Sequence, residues 1–532
     1  MKLTSQHTQV LIIGAGPSGL MMAAQLIRYG IAPLIIDSKQ GPTEHTKALA
    51  VQARSLEIYR QMGIADAVIS GGKPAKGFRF TYNGRANGYL PIEEIGKGQT
   101  LYPYVFIYPQ SKNERVLLNT LTQNTVPVYW NTKLIELKPD DRLITAILED
   151  GNEQINITAD WVIGADGAHS TMRQKLHIPF NGDTYPQLFY LADIVANHTG
   201  DDMEMYVTSN GFAGFFPAEE KNGFRIIGDL PKRLIDKQDL TFDDVLPDLE
   251  RVKGSKVIVN QCKWFTTYKL HHRKADSFRS GRCFLIGDAA HIHSPVGGQG
   301  MNTGLQDAYN LAWKLAGVIN GKIQERILDS YAAERMPVAK DLLKSTDRAF
   351  STIMSNSLTA RLFKRWMMPA ILNSAWKSKK IKQYLFKCIS QIEINYRHSE
   401  INLHLSQAHQ VKAGDRLPYL KLYDEKKQVE TDLHAWCSKP GFTLILFGHL
   451  QEQQLLTFAR WITHYYGQGL NFFYLPPSKR NQHIFDAFEI KPGFLKSIVV
   501  RPDTHIGFMC DSADMDVINN YLEQTTGLKR NS

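Results

Sequence analysis

A short glycine-rich turn near the start of the chain restricts the fold more than any other feature of the sequence. An apolar run at 10–13 leads into Gly14-Ala15-Gly16-Pro17-Ser18-Gly19, and an apolar helical pattern follows at 20–29. A second apolar run at 33–36 ends at Asp37, 23 residues after Gly14. This order predicts a β-α-β unit whose helix N-terminus binds the pyrophosphate of a dinucleotide.

The residues of this turn have separable roles. Gly14 permits the tight turn, Gly16 lets backbone amides approach the pyrophosphate, and Gly19 allows the helix to pack closely on the strand. Asp37 offers an acceptor for a ribose hydroxyl. The turn alone does not distinguish FAD from NAD. Although the apolar N-terminal region has features of a secretory signal, we expect it to belong to the fold, because cleavage would remove the turn.

Two later segments also end a predicted strand at an aspartate. The segment 161–170 contains Asp166-Gly167, and the segment 281–291 contains Gly287-Asp288. In an open parallel sheet, such acids lie where sugar hydroxyls bind. The stretch that follows leads into an apolar helix predicted for 303–320, and it reads Pro295-Val296-Gly297-Gly298-Gln299-Gly300-Met301-Asn302. Its backbone amides suit the partial negative charge that develops on a flavin during reduction.

The composition of the chain excludes several other classes of protein. The chain has 532 residues, of which 43% are hydrophobic and 21% are charged, so we expect a globular protein of more than one domain. Five scattered cysteines form no CxxC pair, so neither disulfides nor a metal site is predicted and a cytoplasmic location is favoured. No run of ~18 apolar residues lies elsewhere in the sequence, so a membrane-spanning helix is not predicted.

The net charge of +10 is concentrated in one segment. Residues 351–390 contain eight basic residues and no acidic ones, so the charge does not indicate nucleic-acid binding. A peripheral contact with an anionic membrane is one interpretation of such a segment. The favoured interpretation is a solvated helical face whose aromatic residues, Trp366, Trp376 and Phe386, anchor it to the neighbouring domain.

Together, the three motifs resemble those of the class A flavin-dependent aromatic hydroxylases, the FAD-binding monooxygenases that include phenol hydroxylase and the polyketide hydroxylases. The resemblance covers about residues 5–345. It implies FAD as cofactor, NAD(P)H as co-substrate and a small aromatic substrate. The implied cofactor contacts are Gly14, Gly16, Pro17, Ser18, Gly19 and Asp37 with the ADP half, Asp166 and Gly167 with flavin and NAD(P)H, Asp288 with the ribityl chain, and Pro295, Gly298, Gly300, Met301 and Asn302 along the isoalloxazine ring.

Three further cofactor contacts follow less directly from the resemblance. Gln110 precedes a predicted helix and matches a position that often touches FAD in the family. Where the family usually has Arg-Ala, this sequence has Lys47-Ala48, and lysine offers a point charge instead of a planar fork. We therefore expect Arg54 to share the role of Lys47.

The resemblance implies a monooxygenase in which NAD(P)H reduces the flavin and a flavin hydroperoxide then hydroxylates a phenolic or polyketide-like ring. Two alternatives stay open, namely a lipid- or quinone-directed flavin hydroxylase or epoxidase, and a non-catalytic FAD-binding protein. No catalytic residue is assigned, because most of this chemistry belongs to the cofactor. The middle of the chain offers polar and aromatic candidates for the substrate site, for which a structural role is favoured: Tyr185, Phe215, Phe216, Arg225 and His293.

The predicted architecture is α/β with four parts. A Rossmann-like FAD-binding domain spans 1–180 and is completed by 281–345, and a β-sheet substrate domain spans 181–280. A helical linker spans 346–400. Residues 401–532 resemble the thioredoxin-like C-terminal domain of phenol hydroxylase relatives and, lacking CxxC, should be redox-inert and serve a structural or homodimer-forming role. The substrate, the choice of NADH or NADPH and the oligomeric state stay open.

Overall fold

The computed structural model describes residues 3, 6–44, 48–140, 142–197, 200–209, 211–218, 220–294, 297–355, 357–375 and 377–531. Within these ranges no helix combines the length and the apolar character needed to cross a bilayer. The α-helices are Pro17–Arg28, Ala53–Gln61, Ala65–Ser70, Gln110–Gln123, Thr171–Lys175, Phe242–Lys253, Gly300–Ile319, Asp329–Met354, Leu358–Leu362, Met368–Ala375, Lys379–Ser390, Leu433–Trp436, Glu452–Tyr465, Gln482–Ala487 and Met515–Asn520.

The N-terminal sheet has a parallel core, as the β-α-β pattern predicts. Its central strand, His7–Ile13, pairs in parallel with Leu34–Ile36 on one side and with Glu153–Gly164 on the other. The order is Arg279–Ser280, Cys283–Leu285, Glu153–Gly164, His7–Ile13, Leu34–Ile36 and Val128–Tyr129. Ile144–Asp150 pairs antiparallel with Glu153–Gly164, and Thr132–Pro139 pairs antiparallel with Ile144–Asp150. Parallel strands covered by helices are buried on both faces, which explains the uninterrupted apolar run at 10–13.

A second, mostly antiparallel sheet occupies the middle of the chain, as the sequence predicts. It also takes strands from outside 181–280, because Gly77–Tyr82 pairs in parallel with Met203–Thr208. The order is His291–Ile292, Val259–Ala275, Phe180–Ala196, Gly223–Asp229, Gly211–Pro217, Met203–Thr208, Gly77–Tyr82 and Arg85–Pro91. A small antiparallel sheet has the order Ala50–Val51, Phe106–Ile107 and Lys73–Pro74.

A third sheet forms the C-terminal unit. Its strands are ordered Leu403–Leu405, Ile506–Cys510, Lys496–Val500, Phe442–Phe447 and Leu470–Leu475. Phe442–Phe447 and Leu470–Leu475 are parallel, whereas Lys496–Val500 runs antiparallel to both of its neighbours. A two-stranded ribbon, Lys421–Asp424 with Val429–Asp432, lies in the sequence between Leu403–Leu405 and the other four strands.

A buried network of charges joins the C-terminal unit to the N-terminal part. The guanidinium of Arg501 donates to both oxygens of Glu334, at 2.6 and 2.9 Å, and to Asp503 at 2.6 Å. Lys314 donates to Glu334 at 2.7 Å, and Trp313 donates to Asp503 at 3.2 Å. Burial alone would raise the pKa of Glu334, but the cations Arg501 and Lys314 lower it. The network therefore fixes the Gly300–Ile319 helix against the C-terminal unit.

Candidate cofactor and active site

In the first turn there is no room for a side chain at Gly14 or Gly19, whereas the space beside Gly16 is open. Gly14 has φ of +105°, and a Cβ there would lie 2.3 Å from the carbonyl oxygen of Ala165. A Cβ on Gly19 would lie 1.9 Å from the carbonyl oxygen of Gly14. Among the described residues, no atom lies within 4 Å of the Cβ position of Gly16. A pyrophosphate can therefore approach the amides at the start of the Pro17–Arg28 helix.

Asp37 is held at the end of the second parallel strand. One carboxylate oxygen accepts from the backbone N–H of Ala15 at 2.7 Å, and the other accepts from Lys39 N–H at 2.8 Å. The side chain is 8% exposed. Each carboxylate oxygen can accept more than one hydrogen bond, so Asp37 is fixed in place and still has acceptor capacity for ribose hydroxyls.

Asp166 ends the neighbouring parallel strand and carries an unused acceptor. Its Oδ2 accepts from the backbone N–H of Met172 at 3.1 Å. Its Oδ1 is buried and has no hydrogen-bond partner within the described part of the chain, and burial raises the pKa of this carboxyl. Because an unpaired buried acceptor is costly, this oxygen fits a hydroxyl or amide of a bound cofactor. Gly167, at φ +79°, makes the turn that follows.

Asp288 protrudes from the end of a third buried strand. The strand Cys283–Leu285 is fully buried, but the Asp288 side chain is exposed. Gly287, at φ +58°, lies against the first motif, because a Cβ there would be 2.3 Å from Ser18 Oγ. A Cβ on Gly304 would also lie 2.3 Å from Ser18 Oγ. Ser18 therefore packs between the strand end and the Gly300–Ile319 helix, and the first and third motifs form one site.

The side chain of Asn302 shapes the glycine-rich loop 297–302. Its Oδ1 accepts from Gln52 N–H and from Ser55 Oγ, both at 2.8 Å. Its Nδ2 donates to the carbonyl oxygens of Ala50 at 3.0 Å and Gly298 at 2.9 Å. All the usual hydrogen bonds of the amide are thus made inside the protein, which leaves the backbone of the loop as the group available to a flavin ring.

A second unused acceptor, His293 Nε2, lies beside the start of the Gly300–Ile319 helix, where a Cβ on Gly300 would be 3.3 Å from it. His293 Nδ1 lies 2.7 Å from the carbonyl oxygen of Ser294, whereas its buried Nε2 has no partner among the described residues. Burial lowers the pKa of His293 to about 4, so the ring is neutral near pH 7 and Nε2 accepts. Met301 places its sulfur 3.6 Å from Asn113 Nδ2.

Two of the predicted cofactor residues, Lys47 and Pro295, lie outside the described residues. Gln110 begins the Gln110–Gln123 helix, as predicted, and its Nε2 donates to Glu114 Oε1 at 2.9 Å. Glu114 also accepts from the backbone N–H of Thr43 at 3.0 Å. The backbone N–H of Gln110 also donates to the carbonyl oxygen of Ala48 at 3.1 Å.

Arg54 does not have the position that the sequence interpretation gave it. It is 2% exposed, and its guanidinium donates to Glu57 at 3.2 Å and to the carbonyl oxygen of Asp503 at 2.8 Å. These partners turn the side chain toward the C-terminal unit. The expectation that Arg54 shares the role of Lys47 is therefore corrected: Arg54 links two parts of the fold.

Asp307 is a residue of the site that sequence reasoning missed. It accepts from Gly287 N–H at 3.0 Å, His291 Nε2 at 2.8 Å and Arg335 Nε at 2.7 Å. Burial alone would raise its pKa, but Arg335 and His291 lower it. Asp307 thereby fixes the strand end that presents Asp288. The sequence did contain a signal for this residue, because Asp307 is the one acid in the apolar helical run 303–320.

One face of the second sheet carries a cluster of aromatic residues. Phe189 packs against Phe212, Tyr268 and Phe350 with ring centroids 5.6 to 6.1 Å apart. Tyr185 packs edge-on against Phe350 at 4.6 Å and donates a hydrogen bond to Asp347. Phe189 and Phe350 are buried in this cluster, whereas Tyr185, Phe212 and Tyr268 are partly exposed.

Two other substrate candidates have structural partners. Phe215 is 1% exposed and lies inside the sheet core. Arg225 forms a bidentate pair with Asp193 at 2.7 and 2.8 Å. These contacts agree with the structural role favoured for both residues, whereas Phe216 is partly exposed.

Comparison with known families places this site in a class. Residues 7–346 match a protein family described as an FAD binding domain. The chain is 33% identical over 432 residues to pentachlorophenol 4-monooxygenase from Sphingobium chlorophenolicum, covering 79% of this chain and 77% of that protein. It is 36% identical over 356 residues to 6-methylpretetramide 4-monooxygenase from Streptomyces rimosus, covering 66% of this chain and 63%, less than two thirds, of that relative.

Solved structures share the whole fold. Anhydrotetracycline hydroxylase from Streptomyces rimosus superposes with a TM-score of 0.79 at 24% identity and covers 98% of this chain and 100% of that chain. Aklavinone-11 hydroxylase, solved with FAD and aklavinone, gives a TM-score of 0.79 at 19% identity and covers 99% of this chain and 100% of that chain.

The chain belongs to this FAD-binding family, since the match spans more than half of its length. It is an FAD-dependent monooxygenase of the aromatic hydroxylase class, with FAD as cofactor and NAD(P)H as the co-substrate that is standard for the family.

Asp288→Ala should yield folded protein that retains little FAD. A charged hydrogen-bond acceptor contributes about 1.5–3 kcal/mol, so we expect FAD affinity to fall roughly tenfold or more. The measurement is flavin absorbance per protein after gel filtration, with Asp236→Ala, an exposed aspartate of the second sheet region, as the matched control. Wild-type flavin content in Asp288→Ala would contradict the placement.

Proposed function

We propose that the enzyme uses NAD(P)H and O2 to hydroxylate a phenolic or polyketide-like aromatic compound. One observation supports this proposal most strongly. The Gly14 turn, Asp166, Asp288 and the 297–302 loop lie together at the carboxyl end of the parallel strands. The substrates in the names of two relatives, 6-methylpretetramide and pentachlorophenol, support an aromatic substrate.

The residues at this edge fit FAD in an extended pose. We assign the ADP half to the first turn and to Asp37, the ribityl hydroxyls to Asp288, and the ring to the backbone of the 297–302 loop. The unused Oδ1 of Asp166 supports this fit, because a polar cofactor would supply its missing partner. The proposed contacts are Gly14, Gly16, Pro17, Ser18, Gly19, Asp37, Lys47, Gln110, Asp166, Gly167, Asp288, Pro295, Gly298, Gly300, Met301 and Asn302.

Bound FAD would take electrons from NAD(P)H and activate O2, and the chain would position the reactants and exclude water. The N-terminus of the Gly300–Ile319 helix carries a partial positive charge, which favours negative charge on a reduced ring beside it. Neutral His293 offers Nε2 as an acceptor near the same helix start. We assign it to a donor group of the flavin or of a phenol.

The substrate region is proposed on the second sheet. The strand His291–Ile292 continues directly from the Asp288 motif and pairs with residues 273–274 of this sheet, so the sheet begins beside the cofactor site. The partly exposed rings of Tyr185, Phe212 and Tyr268 are of the kind that stacks on an aromatic substrate.

Incorporation of oxygen from ¹⁸O2 into product tests the function. Purified FAD-loaded protein is given NADH or NADPH and a panel of phenols, polyketide phenols, quinones and lipids, and the mass of each product is measured by mass spectrometry. We expect one compound class to gain one labelled oxygen with stoichiometric NAD(P)H use. Label transfer only to quinones or lipids would assign a lipid-directed hydroxylase or epoxidase, and no transfer to any compound would favour a non-catalytic FAD-binding protein.

We also propose that the C-terminal unit is thioredoxin-like. Its order along the chain is strand, helix, strand, helix, two strands and helix from 442 to 520, and its sheet order supports this assignment. Cys437 and Cys510 are single thiols with no CxxC partner, so the unit would be structural. The proposed domain limits remain 1–180 with 281–345, 181–280, 346–400 and 401–532.

Location and assembly are proposed on chemical grounds. All five cysteines are free thiols, which suits a reducing compartment, and NAD(P)H is supplied inside cells, so we propose a cytoplasmic enzyme. Homodimer formation through the C-terminal unit is proposed as well, and sedimentation of the purified protein would measure it.

A further inference from the structure

The helical segment from 357 to 390 exposes apolar side chains instead of burying them. Its first helical stretch runs from Leu358–Leu362 through a π-helical turn, Phe363–Met367, into Met368–Ala375. Pro369 lacks a backbone N–H, which accounts for the irregular turn before it. The exposed residues of this stretch follow helical spacing and are Leu358, at 77%, Leu362, at 60%, Trp366, at 64%, Met367, at 58%, and Ile371, at 41%.

The opposite side of the same stretch buries a charge. Lys364 is 0% exposed, and its ammonium donates to the carbonyl oxygens of Ile353 at 3.0 Å and Ser355 at 2.8 Å. A helix on the surface of a water-soluble protein normally has the reverse arrangement, with charges outside and apolar residues inside. The outward face therefore suits contact with an apolar or amphipathic partner.

The outward face is also basic. The same segment exposes the side chains of Arg361, Arg365, Lys377, Lys379 and Lys380, and residues 351–390 contain no acid. The Lys379–Ser390 helix adds two exposed apolar residues, Ile381 and Tyr384. We name this combination of exposed apolar and basic side chains between 358 and 384 the outer helix surface.

The favoured sequence interpretation for these aromatic residues is corrected in part. Phe386 is 1% exposed and packs where a Cβ on Gly96 would fall, so it is an anchor as expected. Trp366 is 64% exposed and anchors nothing to the neighbouring domain. Trp376 lies outside the described residues.

We propose that the outer helix surface binds anionic lipid membranes, with its apolar side chains in the headgroup boundary and its lysines and arginines at the lipid phosphates. Trp and Tyr are the residues enriched at this boundary, and basic residues near an anionic leaflet add attraction. A second copy of the chain is the weaker occupant, because a two-fold contact would place this acid-free basic surface against itself.

Two contacts attach the outer helix surface to the second sheet and to the glycine-rich loop of the cofactor site. Leu372 packs over Gly88 in the edge strand of the second sheet, where a Cβ would meet it at 2.8 Å. Gln299, in the glycine-rich loop, donates to the carbonyl oxygen of Cys388 at 2.7 Å. Bound protein would therefore hold its second sheet and cofactor loop near the bilayer, where apolar compounds concentrate.

Vesicle sedimentation with full-length, FAD-loaded protein tests the proposal. We expect binding to vesicles that contain phosphatidylglycerol, weaker binding to pure phosphatidylcholine, and loss of binding as salt increases. Reversal of three charges, in Lys377→Glu with Lys379→Glu and Lys380→Glu, should weaken binding by about tenfold or more. The pair Leu362→Ser with Trp366→Ser should weaken it on both vesicle types.

Phe494→Ser is the matched control, because Phe494 is 61% exposed on the C-terminal unit, and its binding should equal that of wild type. Flavin content is measured for every variant, which separates membrane binding from cofactor loss. Absence of wild-type binding to anionic vesicles would overturn the proposal. A dimer that the Leu362 and Trp366 changes convert to monomer, with vesicle binding unchanged, would assign the surface to a second copy and overturn it too.

Discussion

Gly14→Val should give protein that is almost free of FAD. The substitution places a Cβ 2.3 Å from the carbonyl oxygen of Ala165 and puts a branched residue at φ +105°, so strand and turn must move apart. Such backbone strain costs about 1–3 kcal/mol before the loss of packing is counted, and it displaces the amides proposed to hold the pyrophosphate. Flavin absorbance and circular dichroism of the purified variant measure the effect.

Gly16→Ala separates cofactor binding from folding. Since space is open at the Cβ position of Gly16 and its φ is −78°, the apoprotein should keep wild-type stability. The methyl group would nevertheless occupy the approach to the helix amides, so FAD affinity should fall. Full FAD binding in Gly16→Ala together with a stable fold would refute the placement of the pyrophosphate.

Arg501→Met should destabilise the protein more than any surface substitution. It leaves the buried carboxylates of Glu334 and Asp503 without their shared guanidinium, and removal of one partner from a buried charge network costs about 3–5 kcal/mol. Trp313 and Lys314, on the Gly300–Ile319 helix, depend on the same carboxylates. We therefore expect a lower urea midpoint and weaker FAD retention together.

Arg397→Met provides the comparison for Arg501→Met. Arg397 also makes a bidentate pair, with Asp415 at 2.6 and 2.8 Å, but its side chain is 43% exposed. Exposed pairs contribute about 0–1 kcal/mol, so the midpoint should hardly move. Equal shifts of the urea midpoint for Arg501→Met and Arg397→Met would show that the buried network does not join the C-terminal unit to the N-terminal part.

Local sequence patterns were sufficient to predict the β-α-β unit of the N-terminal sheet and the glycine turn. The run at 10–13, the turn and Asp37 are neighbours in the chain, and their spacing reflects the β-α-β geometry directly. The segment Phe442–Phe447, in which only Thr443 is polar, is likewise typical of a buried strand, and the structure has a fully buried strand there.

Contacts between distant parts of the chain were not predictable from local patterns. Arg54 was expected at the cofactor, but its partner Asp503 is 449 residues away. Asp307 contacts Arg335 from a neighbouring helix, and no spacing rule encodes that meeting. The second sheet similarly recruits Gly77–Tyr82 through a parallel pairing with Met203–Thr208, which a pattern confined to 181–280 does not reveal.

The exposure of the outer helix surface was also beyond the sequence. Hydrophobic periodicity identifies an apolar face on a helix but not whether that face points inward. The buried ammonium of Lys364 and the 64% exposure of Trp366 settle the direction, and only a three-dimensional structure contains both facts.

Anaerobic stopped-flow reduction of the bound flavin tests the central claim most directly. FAD-loaded protein is mixed with NADH or NADPH, with and without each aromatic compound of the panel, and the loss of flavin absorbance is followed. A hydroxylase of this class should reduce its flavin much faster when one compound is present, and admission of O2 should then yield hydroxylated product. Equal rates with and without every compound, or reduction without product, would contradict the account.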